Sequence, residues 1–499
     1  MISKYLRIQI IVFFCVQILF SQPKEVKISA EDGETDDNFG IAVAVDQNVA
    51  VVGAYWDDDN GRDTGAIYVY HKEDGDWTFH QKLAPEDVSI RANFGSSVAV
   101  DGQFIIAGAP KDDVTDESSG SVYIFKYDSV LQTWSQFKKL ISGNDTSAYN
   151  EFGTAVTIAG NYLAVGSIGE QDYSGSVYLY HWDGSQWQEP AILTAEDQTP
   201  NAFFGFSLAM ESGQLLAGAP FGPGGGAVYP YQLQDTLWTP QEKITITGDT
   251  ENPTFGYAVS LLDDHALIGA TTDVSDGISG GAAYIFQHEG QTWHQQQKLI
   301  NENALDNDQF GFSVALSPDY AIIGARLDDL KGGDSGSLFV FNGTGDGWYL
   351  QTRLVASDGG AGDMLGYALA QHENEIITGA PGSGGTGAVY FYTNWLTTGL
   401  DRIEEPPGQF TLKQNYPNPF NPVTRIPYEL DRRAHVQITV YSILGEEINT
   451  LVNAVESPGY REVIWNGRDY SGQPVASGIY ICRFRAGESV QSRKMILLR

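Results

Sequence analysis

A Phe-Gly pair recurs along most of the chain, at Phe39-Gly40, Phe94-Gly95, Phe152-Gly153, Phe204-Gly205, Phe255-Gly256 and Phe310-Gly311, with Leu365-Gly366 as a seventh, degenerate copy. Successive copies lie 55, 58, 52, 51, 55 and 55 residues apart. A second glycine, in Gly-Ala, Gly-Ser or Gly-Ala-Pro, follows each Phe or Leu365 by 14 residues: Gly53, Gly108, Gly166, Gly218, Gly269, Gly324 and Gly379. Because that offset never varies, length changes fall elsewhere and the segment must be one rigid hairpin. A period of this size marks a unit that cannot bury its apolar side alone and must stack on its neighbours.

Each unit reads as four short strands rich in β-branched and aromatic residues and bounded by Gly, Asp and Asn turns. In the second copy these are Ser96–Val100, Phe104–Ala109, Gly120–Phe125 and Trp134–Leu140. No helical period interrupts them. Seven such units predict an all-β chain dominated by a seven-bladed β-propeller of four-stranded blades, with a stacked solenoid as the other arrangement. The ends favour a closed ring. Val26-Lys27-Ile28-Ser29-Ala30 matches the fourth-strand endings Lys82-Leu83-Ala84 and Lys298-Leu299-Ile300, and the last unit lacks a fourth strand after Ala388–Tyr392. The N-terminal strand is therefore expected to complete the seventh blade and remove an exposed edge.

These residues resemble the FG-GAP repeat, the propeller unit of integrin α subunits and of many bacterial surface proteins. The similarity is greatest to the short bacterial subtype, with Phe-Gly, Gly-Ala-Pro, Gly-Ser-Val-Tyr, then Trp and Lys-Leu. It covers residues 25–395. Integrin-type copies often carry an Asp-x-Asp-x-Asp-Gly calcium loop; here that span holds only tight turns such as Asp46-Gln47-Asn48 and Asp101-Gly102-Gln103. The calcium sites are not carried over. The expectation is no cofactor, with calcium conceivable only outside the usual loop motif.

Residues 396–409 read as a linker, with Glu404-Glu405-Pro406-Pro407-Gly408. From 410 to 499 the balance turns slightly basic, 11 Lys and Arg against 8 acids, and alternating runs such as Val436–Tyr441 and Gly478–Phe484 predict a small Ig-like β-sandwich. This segment resembles the C-terminal sorting domain of type IX secretion substrates. The matching residues are Asn415-Tyr416-Pro417-Asn418-Pro419-Phe420-Asn421-Pro422, Gly445, Trp465-Asn466-Gly467, Gly478-Ile479-Tyr480 and Arg493-Lys494-Met495. The resemblance implies recognition by outer-membrane type IX machinery, through residues including Asn415, Pro417, Pro419, Phe420, Pro422, Gly445, Gly478, Tyr480 and Lys494. Release or attachment at the surface of a Gram-negative-type bacterium would follow.

At the other end, Lys4 and Arg7 precede an apolar run, Ile8–Phe20, and then Ser21-Gln22-Pro23. This reads as a signal peptide over residues 1–22, too short for a membrane span. Its removal takes Cys15 and leaves only Cys482, so no internal disulfide is expected, and Cys482 reads as a buried, inert thiol. The net charge of −34 argues against nucleic acid and against docking on an anionic membrane.

No catalytic constellation stands out. Gly333-Asp334-Ser335-Gly336-Ser337 imitates a protease nucleophile segment, but Ser335-Gly336 fills the pre-strand slot of Thr64-Gly65 and Ser119-Gly120. Gly382–Gly387 fits G-x-G-x-x-G yet precedes a strand, not a helix. The eight histidines show no metal spacing. Six tryptophans, Trp77, Trp134, Trp187, Trp238, Trp293 and Trp348, share one repeat position and read as packing; Trp56 and Trp182 break the pattern and are candidates for ligand contact. Most acids of the array fall in the loops from fourth to first and from second to third strand, which emerge on one propeller face. Candidate contacts there are Asp36, Asp37, Trp56, Asp57, Asp58, Asp59, Asp112, Asp113, Asp328 and Asp329, facing a basic or cationic partner or a glycan. The leading expectation is an exported adhesion-type binding protein, not an enzyme. A propeller polysaccharide lyase or hydrolase, or a surface-layer component, are the alternatives.

Overall fold

The computed structural model describes residues 24–393 and 411–498, apart from short stretches at 144–147, 247–252, 276, 291, 345–346, 414, 431–433, 443–446, 457–458 and 487–488. The expected signal peptide and the linker lie outside the described residues. Within them the chain is strands and turns, with a single helical turn at Glu170–Tyr173 and a short 3-10 turn at Ser383–Gly385.

Seven four-stranded antiparallel sheets follow one another. The first comprises Val43–Asp46, Val49–Ala54, Ala66–Glu73 and Asp76–Leu83. We number the sheets as blades one to seven in chain order. Blade seven takes Leu369–His372, Glu375–Ala380 and Ala388–Thr393 from the last repeat and Lys24–Ile28 from the N-terminal end, with Lys24 opposite Thr393 and Ile28 opposite Val389. The expected ring closure is thus present. The innermost strands touch in a cycle that returns from blade seven to blade one.

Apolar burial explains why the units stack. The core is divided into clusters that each bridge two adjacent blades: Phe104, Ile106 and Ile124 meet Phe152, Val165 and Tyr178, for example, and Ile377, Val389 and Phe391 meet Phe39, Val52 and Tyr68 across the closure. No blade owns a core of its own, so the ring folds as a unit. Each Phe of the Phe-Gly pair is fully buried and sets its edge on the aromatic ring of its own third strand, as Phe39 on Tyr68 (5.2 Å, 81°) and Phe152 on Tyr178 (5.2 Å, 85°).

The invariant 14-residue spacing has a steric cause. A Cβ on Gly53 would lie 2.0 Å from the carbonyl oxygen of Gly95 in the next blade, and one on Gly379 would lie 1.8 Å from that of Gly40. The same glycine-on-glycine contact joins every neighbouring pair, and Gly40 itself has φ +95°. Inter-blade approach therefore fixes both glycines and the hairpin between them.

The tail folds as two sheets around one core. Thr424–Leu430 pairs with Gly459–Trp465 in a three-stranded sheet; Glu447–Glu456, Ala434–Ser442, Gly478–Ala486 and Ser489–Leu497 form a four-stranded one. Phe420, Tyr428, Trp465, Phe484 and Met495 fill the space between. Cys482 lies in this core, and burial pushes its thiol up to about 12.

Candidate functional site

The two acidic loop sets come together at one end of the ring, as the topology requires. The backbone N–H of Trp56 donates to the Asp37 carbonyl at 3.3 Å, and the equivalent bond recurs from Lys111 to Ala92 (3.1 Å) and from Leu327 to Asp308 (3.2 Å).

Within those loops the carboxylates divide. Asp57, Asp112 and Asp328, expected as surface contacts, are buried. Asp57 Oδ2 accepts from the Tyr68 hydroxyl at 2.8 Å and lies 2.7 Å from Lys82 Nζ. Asp112 Oδ2 accepts from Ser121 (2.7 Å) and pairs with Lys139 (2.9 Å); Asp328 pairs with Arg353 and accepts from Ser337 (2.9 Å). Burial alone would raise the Asp112 carboxyl, but the Ser121, Ser89 N–H and Lys139 bonds outweigh it and hold it below the usual range. These three acids anchor loops, because a buried charge must be paired.

The anchoring follows a rule that the Phe-Gly and Gly-Ala elements did not reveal. Eighteen residues after each Phe stands an acid in five copies: Asp57, Asp112, Glu170, Asp273 and Asp328. The third-strand hydroxyl reaches it, as Tyr178 to Glu170 at 2.6 Å, and a fourth-strand cation pairs with it, as Lys298 with Asp273. Where that position is Gly222 or Ser383, the acid comes from the preceding loop: Asp197 accepts from Tyr229 (2.7 Å) and pairs with Lys243 (2.7 Å), and Asp358 accepts from Tyr390 (2.8 Å) and pairs with Lys27 (2.7 Å). Ile192 stands opposite Tyr178 where other blades hold Lys or Arg.

The remaining candidates differ. Asp37 is buried, accepts from the Glu34 N–H at 2.7 Å, and is pushed up to about 6 by burial, with Asp57 and Asp58 adding to it. Asp308, not singled out by sequence, is its counterpart in blade six: burial, then Asp328 and Asp329, push it to about 7. Asp36, Asp58, Asp59, Asp113 and Asp329 are exposed. Asp113 and Asp329 cap turns, accepting from Ser118 N–H and Asp334 N–H at 2.8 Å each, and Asp59 shares Lys82.

Trp56 is 41% exposed and stacks on Tyr55 at 4.9 Å; Trp182 is buried between Phe104, Phe137 and Trp187, so its expected ligand role gives way to packing. The loop end carries further rings. Ring contacts run from Tyr173 to Phe203 (5.7 Å), Phe221 (5.3 Å), Phe206 (6.0 Å), Tyr257 (4.9 Å), Phe312 (5.1 Å) and Tyr367 (4.9 Å). Tyr55 and Trp56 stand in blade one, which adjoins blade seven at the ring closure, and Trp56 holds there the loop position, 17 residues after its Phe, that Phe221 holds in blade four. Phe206, Tyr257, Phe312 and Tyr367 come from blades four to seven in turn, so the arc follows the ring from blade to blade. Phe206, Tyr257, Phe312 and Tyr367 each lie two residues after a repeat Phe or Leu365, a signal visible in the sequence once that column is read. The Arg326 guanidinium sits in the arc, 4.2 Å from the Phe312 ring centre and 5.2 Å from that of Tyr367, with Nε donating to Gln309 at 2.7 Å.

Ser335 is buried and its hydroxyl donates to the Asp328 carbonyl at 3.0 Å, which is a structural post and not a nucleophile. Among the described residues no group of three or more His, Cys, Asp or Glu is arranged to hold a metal ion, and no helix is long and apolar enough to cross a membrane.

In the tail, Asn415 is buried and its amide donates to the Thr424 hydroxyl at 2.9 Å; Phe420 is buried against Trp465 (5.5 Å) and exchanges backbone bonds with Ile496 and Leu498 at 2.9 Å each. Tyr480 is buried and donates to the Ala476 carbonyl at 2.8 Å. Pro417, Pro419, Pro422, Gly478 and Lys494 are exposed, and Gly445 lies outside the described residues.

The family matches agree with this geometry. The FG-GAP repeat family matches at residues 23–70, 77–125, 134–180, 238–286, 293–341 and 348–392, and the secretion system C-terminal sorting domain at 414–498. The repeat around Phe204 falls outside those matches yet forms a four-stranded sheet like the rest. Human integrin alpha-6 is 24% identical over 370 residues, 68% of this chain but 29% of that protein, so the chain spans under a third of this relative. A chain in the crystal structure of the mitotic checkpoint complex has 15% identity and a TM-score of 0.47, covering 79% of this chain and 98% of its own. The tail marks the protein for export by type IX secretion to the cell surface or extracellular space. Repeat, sheet order and tail together make this chain a member of the FG-GAP repeat family that carries a secretion system C-terminal sorting domain.

Proposed function

We propose that this protein is an exported recognition protein that binds a partner outside the cell through the loop face of its ring. One observation carries the reading. Large aromatic side chains are exposed at the loop end, Trp56 (41%), Tyr173 (38%) and Phe221 (47%), the last two within a run of ring contacts, where a solubilising surface would carry charge. The blades beneath are locked by inter-blade cores and buried ion pairs, so the loops are pre-organised and binding costs little ordering. Asp36 and Asp58 stand exposed in the loops that hold Asp37 and Trp56, and supply hydrogen-bond acceptors. An adhesion-type role fits this arrangement and the export tail.

The test is binding of the full-length chain to intact cells, extracellular matrix and polysaccharide preparations. The double variant Trp56→Ala, Phe221→Ala is expected to lose binding at unchanged melting temperature. Equal binding by variant and parent to every surface would refute a loop-face site.

A further inference from the structure

We infer that the aromatic arc is a subsite for a neutral glycan chain. The inference rests on reading the loop face as a recognition surface and adds the chemistry of its ligand.

Three observations select that chemistry. The exposed rings of Trp56 and Phe221 offer flat apolar faces, and a pyranose presents a matching C–H face with hydroxyls at its edge. Groups that can bond those hydroxyls stand in the same loop: Tyr55 stacks on Trp56 at 4.9 Å, and the exposed Asp58 follows Trp56 by two residues. Polyanionic glycans are disfavoured by the net charge of −34 and by exposed Asp36 and Asp58.

A basic polypeptide is the competing class, since aromatic rings beside carboxylates attract cations. Here much of that capacity is already used. The protein's own Arg326 lies over the Phe312 and Tyr367 rings, and the buried acids beneath the loops are paired with Lys82, Lys139, Lys298 and Arg353. What remains open is ring face and the exposed Asp36 and Asp58 carboxylates, which accept hydrogen bonds from sugar hydroxyls. A single ring contact is weak, but an arc crossing several blades engages successive sugars of a chain, and weak contacts in series add up to useful affinity.

The test is titration of the full-length chain with cellohexaose, laminarihexaose, xylohexaose and mannohexaose, followed by calorimetry and tryptophan fluorescence, with poly-lysine and heparin as charged probes. The expected result is saturable binding of at least one neutral hexasaccharide. Trp56→Ala and Phe221→Ala should each weaken it roughly tenfold or more, taking one stacked ring as about 1–1.5 kcal/mol. Phe79→Ala, which removes an equally exposed ring from a fourth strand, should leave it unchanged. Melting curves establish that all three variants fold. The inference is overturned if no neutral probe binds, if both arc variants bind like the parent, or if poly-lysine alone binds. Should the chain still bind cells or matrix through the loop face while ignoring every neutral sugar, only the glycan assignment falls; loss of both results removes the broader reading as well.

Discussion

Lys82 Nζ lies 2.7 Å from Asp57 Oδ2, and the same oxygen accepts the Tyr68 hydroxyl at 2.8 Å. Asp57 is 2% exposed, so its charge rests on these two groups and on the Asp59 N–H, which donates to its other oxygen at 3.3 Å. Lys82 also reaches the exposed acids Asp32 and Asp59. One cation thus serves a buried partner and two solvated ones, and only the first of these contacts is expensive to break.

Lys82→Met should therefore cost about 2–4 kcal/mol, because it leaves a buried carboxylate unpaired. Asp59→Ala should cost at most about 1 kcal/mol, the range of a solvated pair. Urea unfolding of the full-length chain measures both. Similar losses from the two variants would show that the pair is not the anchor described.

Gly379→Ala should prevent the ring from closing. The added methyl would meet the Gly40 carbonyl at 1.8 Å, backbone against backbone, with no flexible side chain to yield. We expect a loss of at least about 3 kcal/mol or failure to fold, larger than ordinary overpacking. Gly333→Ala, whose Cβ would meet nothing within 4 Å, should be nearly neutral. Melting temperature and protease resistance distinguish the two, and comparable behaviour would remove the steric explanation for the fixed spacing.

Much of this architecture was legible because it repeats. Phe39 and its counterparts mark the copies, the 14-residue offset marks inter-blade contact, and the Val26–Ala30 run announces ring closure. The site was less legible for a physical reason. An aspartate has the same letter whether it faces water or neutralises a buried lysine, so Asp57, Asp112 and Asp328 looked like surface charge until their partners were placed. The deciding partners, Lys82, Lys139 and Arg353, come from a strand 25 to 27 residues later. The arc was hidden by a similar averaging. Ile41, Ser96 and Thr154 occupy in early copies the column that Phe206, Tyr257, Phe312 and Tyr367 fill in later ones, so it is absent from the consensus of the repeat. Trp182 misled in the opposite sense: a residue outside the repeat pattern still serves packing.

Asp308 should make stability depend on pH. Burial, with Asp328 and Asp329 nearby, pushes its carboxyl to about 7, above the ordinary 3.8. Between about pH 4 and 7 the native state then holds a proton that the unfolded chain has released, so this group's contribution to stability falls as pH rises. Asp308→Asn keeps an acceptor for the Leu305 N–H, a 2.8 Å bond, and removes the charge. It should stabilise the protein by at least about 1 kcal/mol at pH 8 and by little at pH 4. Melting curves across that range check the prediction, and a variant equally or less stable at pH 8 would contradict it.

The tail makes a prediction about export. Phe420 is 2% exposed, packs on Trp465 and is tied to the last strand through Ile496 and Leu498, while Asn418 accepts from Ile496 N–H at 2.8 Å and donates to the Lys494 carbonyl at 3.1 Å. The Asn-Pro-rich segment and the terminal strand are therefore one folded element. Phe420→Ala should cost about 3–5 kcal/mol, most of what a domain this small has to lose. The propeller has its own inter-blade cores and should remain folded. The variant should accumulate in the periplasm with an intact ring, seen as a protease-resistant fragment near 370 residues, the span from 24 to 393. Lys494→Ala changes an exposed side chain and should leave the tail folded. If it also stays in the periplasm, Lys494 contacts the translocon directly. If Phe420→Ala reaches the surface normally, the machinery reads the tail as a linear signal, and the folded sandwich is not what it recognises.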